Sequence, residues 1–347
     1  MPDTTNSNAS GDATDNVRYR RFWWCAVGTI ATIYALILVG GIVRATGAGM
    51  GCPDWPTCFG QWIPPLSESE LPSNYQEIYA DRGYADTLFN VRKTWTEYLN
   101  RLLGVFTGFT ILLTLIFAYP LRKRESSVFW LSLAGFILVG VQGWLGSRVV
   151  ASNLLPGMIT IHMLLAQVIV GIVIAACIHS ARHRFRFADI ADLSKWVYPM
   201  LIVAMGAGLL QLVVGTQVRE AVDMVARNSD YQNRHLWIDN LPLIFSFHKY
   251  YAIPVMLLNA WLIVSILGAT QWRLLRGLCI ALAALLVGTV VIGMSMDRLN
   301  LPMFAQPLHL WWASLIFGIQ LALLLLLQHC RNQQSSPIGS LQLSTGQ

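Results

Sequence analysis

Eight stretches of about 20 apolar residues, near 22–46, 97–119, 128–149, 157–179, 196–218, 243–268, 274–295 and 306–328, are separated by polar segments along the chain. Each is long enough to cross a hydrocarbon core of about 30 Å as an α-helix. The runs are continuously apolar rather than alternating, which excludes a transmembrane barrel. In lipid the remaining way to satisfy the backbone is helix. The pattern predicts an all-α integral membrane protein with eight transmembrane helices.

Composition agrees. Of 347 residues, 55% are hydrophobic and 12% charged, against roughly 25% charged in soluble domains, so most of the chain is expected to face a lipid bilayer. No nucleic-acid partner is expected. Basic residues crowd one set of connections: Arg18, Arg20 and Arg21 before the first span, Arg122, Lys123 and Arg124 between the second and third, Arg182, Arg184, Arg186 and Lys195 between the fourth and fifth, Arg273 and Arg276 between the sixth and seventh, and Arg331 after the eighth. The positive-inside bias then predicts a multi-pass protein of a bacterial-type inner (plasma) membrane with both termini cytoplasmic.

The outer face carries two long loops, roughly 47–96 and 219–242. Residues 1–20 are polar, lack the basic-apolar pattern of a cleaved signal peptide, and are expected to be a disordered cytoplasmic tail, as is 331–347. A cytoplasmic linker, 181–195, divides a first four-helix half, 21–180, from a second, 196–330.

The two halves read as one unit used twice. His248 and His309 each open a hydrophobic helix and lie 61 residues apart, while Asn100 and His162 hold the same arrangement 62 apart. The first span ends Gly40-Gly-Ile-Val-Arg44 and the fifth Gly215-Thr-Gln-Val-Arg219. Gly146 stands sixteen residues before His162, as Gly293 does before His309. Four spans per unit is an even number, so both copies enter the membrane the same way round. The expected architecture is two four-helix bundles related by a pseudo-twofold axis along the membrane normal.

Imidazole is a strong axial ligand for haem iron, and two imidazoles at one depth on neighbouring helices can clamp a porphyrin between them. The second half has such a pair in His248 and His309; the first half has only His162, with Asn100 in the other place. An ionisable group at that depth is a functional candidate. His179, His183, His235 and His329 read instead as hydrogen-bonded groups at helix ends or in loops.

Arg44, Arg101, Arg148, Arg219, Lys249 and Arg298 lie at outer helix ends, against the positive-inside bias. Each alone reads equally well as a snorkelling cation. Their recurrence as Arg44/Arg219 and Arg101/Lys249 points to an anionic ligand, and haem propionates suit guanidinium forks. Glu97 lies one turn before Asn100. Either it is a first-turn carboxylate paired with Arg101, or it is catalytic, positioning water or moving protons. Cys52 and Cys58 sit in the first outer loop, where an oxidising compartment allows a disulfide; two free thiols or a metal site are the alternatives, zinc being the weaker for want of further ligands nearby. Cys25, Cys177, Cys279 and Cys330 read as packed thiols.

These residues resemble the heme A synthases, eight-helix membrane proteins that oxidise a methyl substituent of heme O to the formyl group of heme A for terminal oxidases. The resemblance covers about 20–330. Its most specific elements are Gly40-Gly-Ile-Val-Arg44, then Thr46-Gly-Ala-Gly-Met-Gly-Cys52-Pro-Asp-Trp-Pro-Thr-Cys58, and Glu97-Tyr-Leu-Asn-Arg101-Leu-Leu-Gly.

The resemblance implies that His248 and His309, with Arg219 and Lys249, hold a permanent heme b that relays electrons. It implies that His162, Asn100, Arg101 and Arg44 surround the substrate haem, that Glu97 takes part in chemistry there, and that Cys52 and Cys58 are the paired outer-loop cysteines. Heme O and heme A become substrate and product; heme O synthase and a quinol or other membrane electron donor become candidate partners. The departure is Asn100, where the family pattern has histidine.

Three outcomes follow from that departure. His162 alone holds the substrate iron, leaving an open face, which is the favoured reading; another group such as Met50 or a water held by Asn100 replaces the ligand; or the site has lost catalysis. The rival from a different class is a non-catalytic b-type cytochrome or membrane haem carrier with a degenerate first site. A solute transporter is a weaker third.

Overall fold

The computed structural model describes residues 6–181, 193–230 and 232–334. Eight long helices carry the architecture: α1 Asn6–Ala45, α2 Val91–Ala118, α3 Ser126–Ala151, α4 Pro156–Ser180, α5 Val197–Asn228, α6 Leu243–Ala269, α7 Arg273–Arg298 and α8 Ala305–Gln334. All eight are long and apolar enough to span a membrane. Odd-numbered helices run away from the termini and even-numbered ones return, so the bundle has a terminus-bearing end and an opposite end with the long loops.

Local chemistry sets the boundaries. Asn90 caps α2, its side chain accepting from the Lys93 amide at 3.1 Å. Pro156 opens α4 at a position where its missing N–H costs nothing. The turns entering α4 and α8 are built alike. Asn153 and Leu154 adopt φ of 51° and 62°, and Asn300 and Leu301 adopt 55° and 57°. Asparagine tolerates this left-handed region, whereas leucine there is uncommon. Each Asn-Leu pair begins nine residues before a histidine, His162 or His309, so one turn geometry sets the depth of both imidazoles.

Two expectations change. Residues 6–20, expected as part of a disordered tail, continue α1. Asp15 anchors this extension, pairing with Arg18 at 3.4 Å and with Arg124 in the α2–α3 connection, which lets a polar segment stay helical beyond the membrane. At the other end, α5 continues ten residues past the expected stop at 218, to Asn228. Val222 and Ala226 of that extension pack with Trp237 and Leu301, so apolar burial sustains the helix through what composition marks as a loop. The expected linker residues Arg182, Arg184 and Arg186, with His183, lie outside the described residues, as do 335–347 of the C-terminal tail.

Helices α1 to α4 contact one another in sequence and α4 closes back on α1; α5 to α8 do the same, with α8 closing on α5. The two sets meet through α1–α8, α4–α8 and α4–α5. Lipid is as apolar as leucine, so association depends on close packing and polar contacts. Thr29 meets Thr114 at 2.9 Å, Gln167 donates to Ser314 at 2.6 Å, and Gln320 donates to Asn259 at 2.7 Å. Each such bond is worth about 0.6 kcal/mol in a bilayer. Trp312 lies directly on α7 at Gly288, where a β-carbon would stand 1.9 Å from the indole.

The apolar cores sit toward the terminus-bearing end. One gathers Phe22, Ile111, Leu121, Val128 and Val173; the other gathers Leu201, Leu262, Ile266, Leu282 and Leu327. The candidate ligands occupy the opposite, loop-bearing end.

Candidate functional site

At the loop end, each pair of consecutive helices brings a glycine of the odd helix against a candidate ligand on the even one. A β-carbon placed on Gly146 of α3 would stand 3.4 Å from His162 Cε1; on Gly215 of α5, 3.3 Å from His248 Cε1; and on Gly293 of α7, 3.3 Å from His309 Cε1. In the remaining pair, Gly40 of α1 faces Asn100 Oδ1 at 3.9 Å. The absent side chain is what lets each of these side chains approach its neighbouring helix so closely.

Two of the histidine positions have a further support. Gln142 donates to the His162 carbonyl and Gln211 to the His248 carbonyl, each at 2.9 Å. Each glutamine precedes its glycine by four residues, one helical turn. Sequence reading missed both, although their fixed offset from Gly146 and Gly215 was visible.

His248 and His309 come together. Their ring centroids are 6.2 Å apart with planes at 60°, and the Nδ1 atoms of His162, His248 and His309 lie buried without a hydrogen bond of ordinary geometry. Buried polar atoms are nearly always paired; the His309 ring has the Thr289 backbone within reach, which leaves the Nδ1 atoms of His162 and His248 as the unmet ones. Two facing imidazoles can bind one metal centre from opposite sides. The Asn100 Oδ1 is likewise buried and unpartnered.

Glu97 and Arg101 are turned to the loop between α1 and α2. Glu97 is 3% exposed; it accepts from the Cys52 amide at 2.8 Å and pairs with Arg101 at 2.5 Å. Arg101 also donates to the carbonyls of Asp54 at 2.7 Å, Thr57 at 3.0 Å and Cys52 at 3.2 Å. The sequence expectation put Arg101 against a haem propionate, but its guanidinium is spent on three carbonyls and one carboxylate. Five N–H donors in a planar fork suit such a clamp.

The clamped loop is a small folded unit. Cys52 and Cys58 form a disulfide with Cα atoms 4.8 Å apart. Phe59 sits edge-to-face among Tyr75, Tyr79, Tyr84 and Phe89 at centroid distances of 5.3–6.3 Å. Gly51 passes so close to α2 that a β-carbon would meet the Lys93 carbonyl oxygen at 2.4 Å. Tyr84 donates to the Met50 carbonyl at 2.7 Å. Burial raises its hydroxyl above the ordinary tyrosine value, reinforced by Glu97, Tyr75 and Asp54 and opposed by Arg101.

The remaining cations are placed as follows. Lys249 pairs with Asp297 of α7 at 2.7 Å and is half-exposed, so it is engaged with a carboxylate where an anionic ligand was expected. Arg219 pairs with Asp223 one turn on at 2.9 Å, and Arg44 reaches the same carboxylate at 3.7 Å. Asp223 was not singled out by the sequence because it lies in the stretch read as loop. His179 and His329 meet at the terminus-bearing end, with ring centroids 5.6 Å apart. Cys177, Cys279 and Cys330 are buried thiols and Cys25 is half-buried.

Comparison with known proteins shows the family. The profile of the family described as cytochrome oxidase assembly protein matches residues 23–321. Similar proteins include a heme A synthase of Shewanella oneidensis, 23% identical across 84% of this chain and 92% of the relative. A heme A synthase of Brucella suis is 26% identical across 87% and 88%, and one of Chelativorans sp. is 25% identical across 89% and 92%.

Proposed function

The chain belongs to the cytochrome oxidase assembly protein family, and from that membership we propose that it is a heme A synthase-like oxidoreductase, converting the methyl group of heme O to the formyl group of heme A. The observation that carries the reading to particular residues is the facing of His248 and His309. Two imidazole–metal bonds of about 2 Å, with the distance from each nitrogen to its ring centre, span about 6 Å, which the 6.2 Å centroid separation meets.

In this reading His248 and His309 would hold heme b, and the chemistry it would supply there is one-electron transfer. The glycines beneath the imidazoles fix ring orientation, and Gln211 fixes the backbone that bears His248. The burial of Nδ1 in both rings supports ligands kept out of water.

The substrate heme O is held in the first half through His162, with Asn100 opposite. An amide is a poor axial ligand, so the substrate iron keeps one open face. Both Glu97 oxygens are occupied, which favours a positioning role. Through Arg101 it holds the disulfide loop over the outer end of α2 and keeps water from that side of the site. Arg44 lies 3.7 Å from its carboxylate partner and suits a propionate.

The two-bundle reading is supported by the repeated glycine–ligand contacts and the matching Asn-Leu turns. A pseudo-twofold axis along the membrane normal, cytoplasmic termini in a bacterial-type inner membrane, heme O synthase as supplier and a quinol or similar electron donor complete the proposal.

Asn100 favours one other reading, a b-type cytochrome or haem carrier with a degenerate first site. Protein purified from a host that makes heme O separates the two. Heme A or a partly oxidised heme O in the extract, resolved by chromatography, supports the enzyme. Heme B alone after turnover conditions supports the carrier.

A further inference from the structure

Among the described residues, contacts between the loop ends of the two helix sets include three that flank the candidate ligands. A β-carbon on Gly41 would stand 3.0 Å from that of Pro307, two residues before His309. Thr160, two residues before His162, meets Thr216, which follows the glycine under His248, at 2.9 Å. The third contact is ionic, and it alone can be re-partnered without repacking.

There Asp223 stands between the arginine that closes α1 and its counterpart on α5. One carboxylate oxygen lies 2.9 Å from Arg219 and the other 3.7 Å from Arg44. All three side chains are about one-quarter to one-third exposed, open enough to exchange partners. Glu220 adds a second carboxylate in electrostatic range of Arg44. One acidic group shared unequally by two guanidiniums favours the state in which Arg219 is neutralised and Arg44 is left to bind an anion.

We propose that Asp223 couples the two haem sites by exchanging between Arg219 and Arg44. A propionate bound at Arg219 displaces Asp223 onto Arg44, where it competes with the carboxylate of the first-half ligand. With Arg219 free of ligand, Asp223 returns to it and Arg44 becomes available. Coupling of this kind is reciprocal, so the first-half ligand weakens the second-half ligand by the same factor. The inference rests on the haem reading above, but concerns a residue which that reading does not use.

The test is a double-mutant cycle on the full chain in detergent, following heme O binding by absorbance titration. The second site is either filled or emptied by His309→Ala, with Asp223 or with Asp223→Asn. With Asp223 present, emptying the second site tightens heme O binding by about fivefold. With Asp223→Asn the change falls below about twofold, and Asp223→Glu restores it. Should His309→Ala not fold, protein from a haem-starved host supplies the emptied state. An equal change in both backgrounds overturns the coupling while leaving the haem assignment standing. Absence of a bis-imidazole spectrum in the parent chain overturns the assignment and the coupling with it.

Discussion

Gly40 and Asn100 face each other across α1 and α2 as Gly293 and His309 do across α7 and α8, with 3.9 Å to the Asn100 Oδ1 and 3.3 Å to the His309 Cε1 from a β-carbon built on the glycine. The asparagine therefore stands against its glycine in the place that a histidine takes in the other three contacts. Asn100→His is expected to convert the first-half haem from five- to six-coordinate, seen as growth of a low-spin band. An unaltered spectrum would mean that this side chain does not address the iron.

His248→Ala and His309→Ala are each expected to abolish the low-spin b-type spectrum, since a bis-imidazole centre needs both rings. Retention of that spectrum in either variant would remove the pair from iron ligation.

Gly293→Ala sets a methyl group against the His309 imidazole. Overpacking of this sort costs about 1–3 kcal/mol, so haem retention should fall by about tenfold and the redox spectrum shift. Gly277→Ala on the same helix, where a β-carbon meets nothing within 4 Å, should leave both as they are. Equal effects in the two variants would show a general loss of helix packing.

Glu97→Gln keeps an acceptor for the Cys52 amide but leaves the Arg101 guanidinium without its carboxylate. Breaking one side of a buried pair costs about 3–5 kcal/mol, felt here as loosening of the disulfide loop. Faster proteolysis within 52–90 at unchanged heme b content is expected, with product formation falling in parallel. Lost turnover with the loop still protected would restore Glu97 to a direct role in proton movement.

Tyr84 ties the loop to the Met50 carbonyl through a hydroxyl whose ionisation burial opposes. A raised folded value means that this stabilisation is fully present below the unfolded tyrosine value of about 10 and fades as pH rises through the folded one. Loop protection in the parent chain should therefore hold to about pH 10 and fall only above it. Tyr84→Phe, lacking about 1 kcal/mol at all pH values, should show no such step.

Eight spans and the candidate histidines were legible in the chain because hydrocarbon imposes a length and a polarity that no soluble fold demands. The pairing of Cys52 with Cys58 was legible as an option and became a bond only in three dimensions. Arg101 reads in one dimension as a propionate anchor or as the partner of Glu97; only three dimensions add the backbone carbonyls of a loop 44 to 49 residues away to the Glu97 pair. Asp223 was hidden because the helix that carries it is sustained by contacts with Trp237 and Leu301 rather than by its own pattern.

What the sequence determined by itself, then, was an eight-span membrane protein with imidazoles at one depth, since apolar length and the period of the repeat are local properties. Tertiary structure alone decided which imidazoles face each other, which cations are already neutralised and which glycine lies under which ring. Those depend on distances between helices, which no single helix encodes.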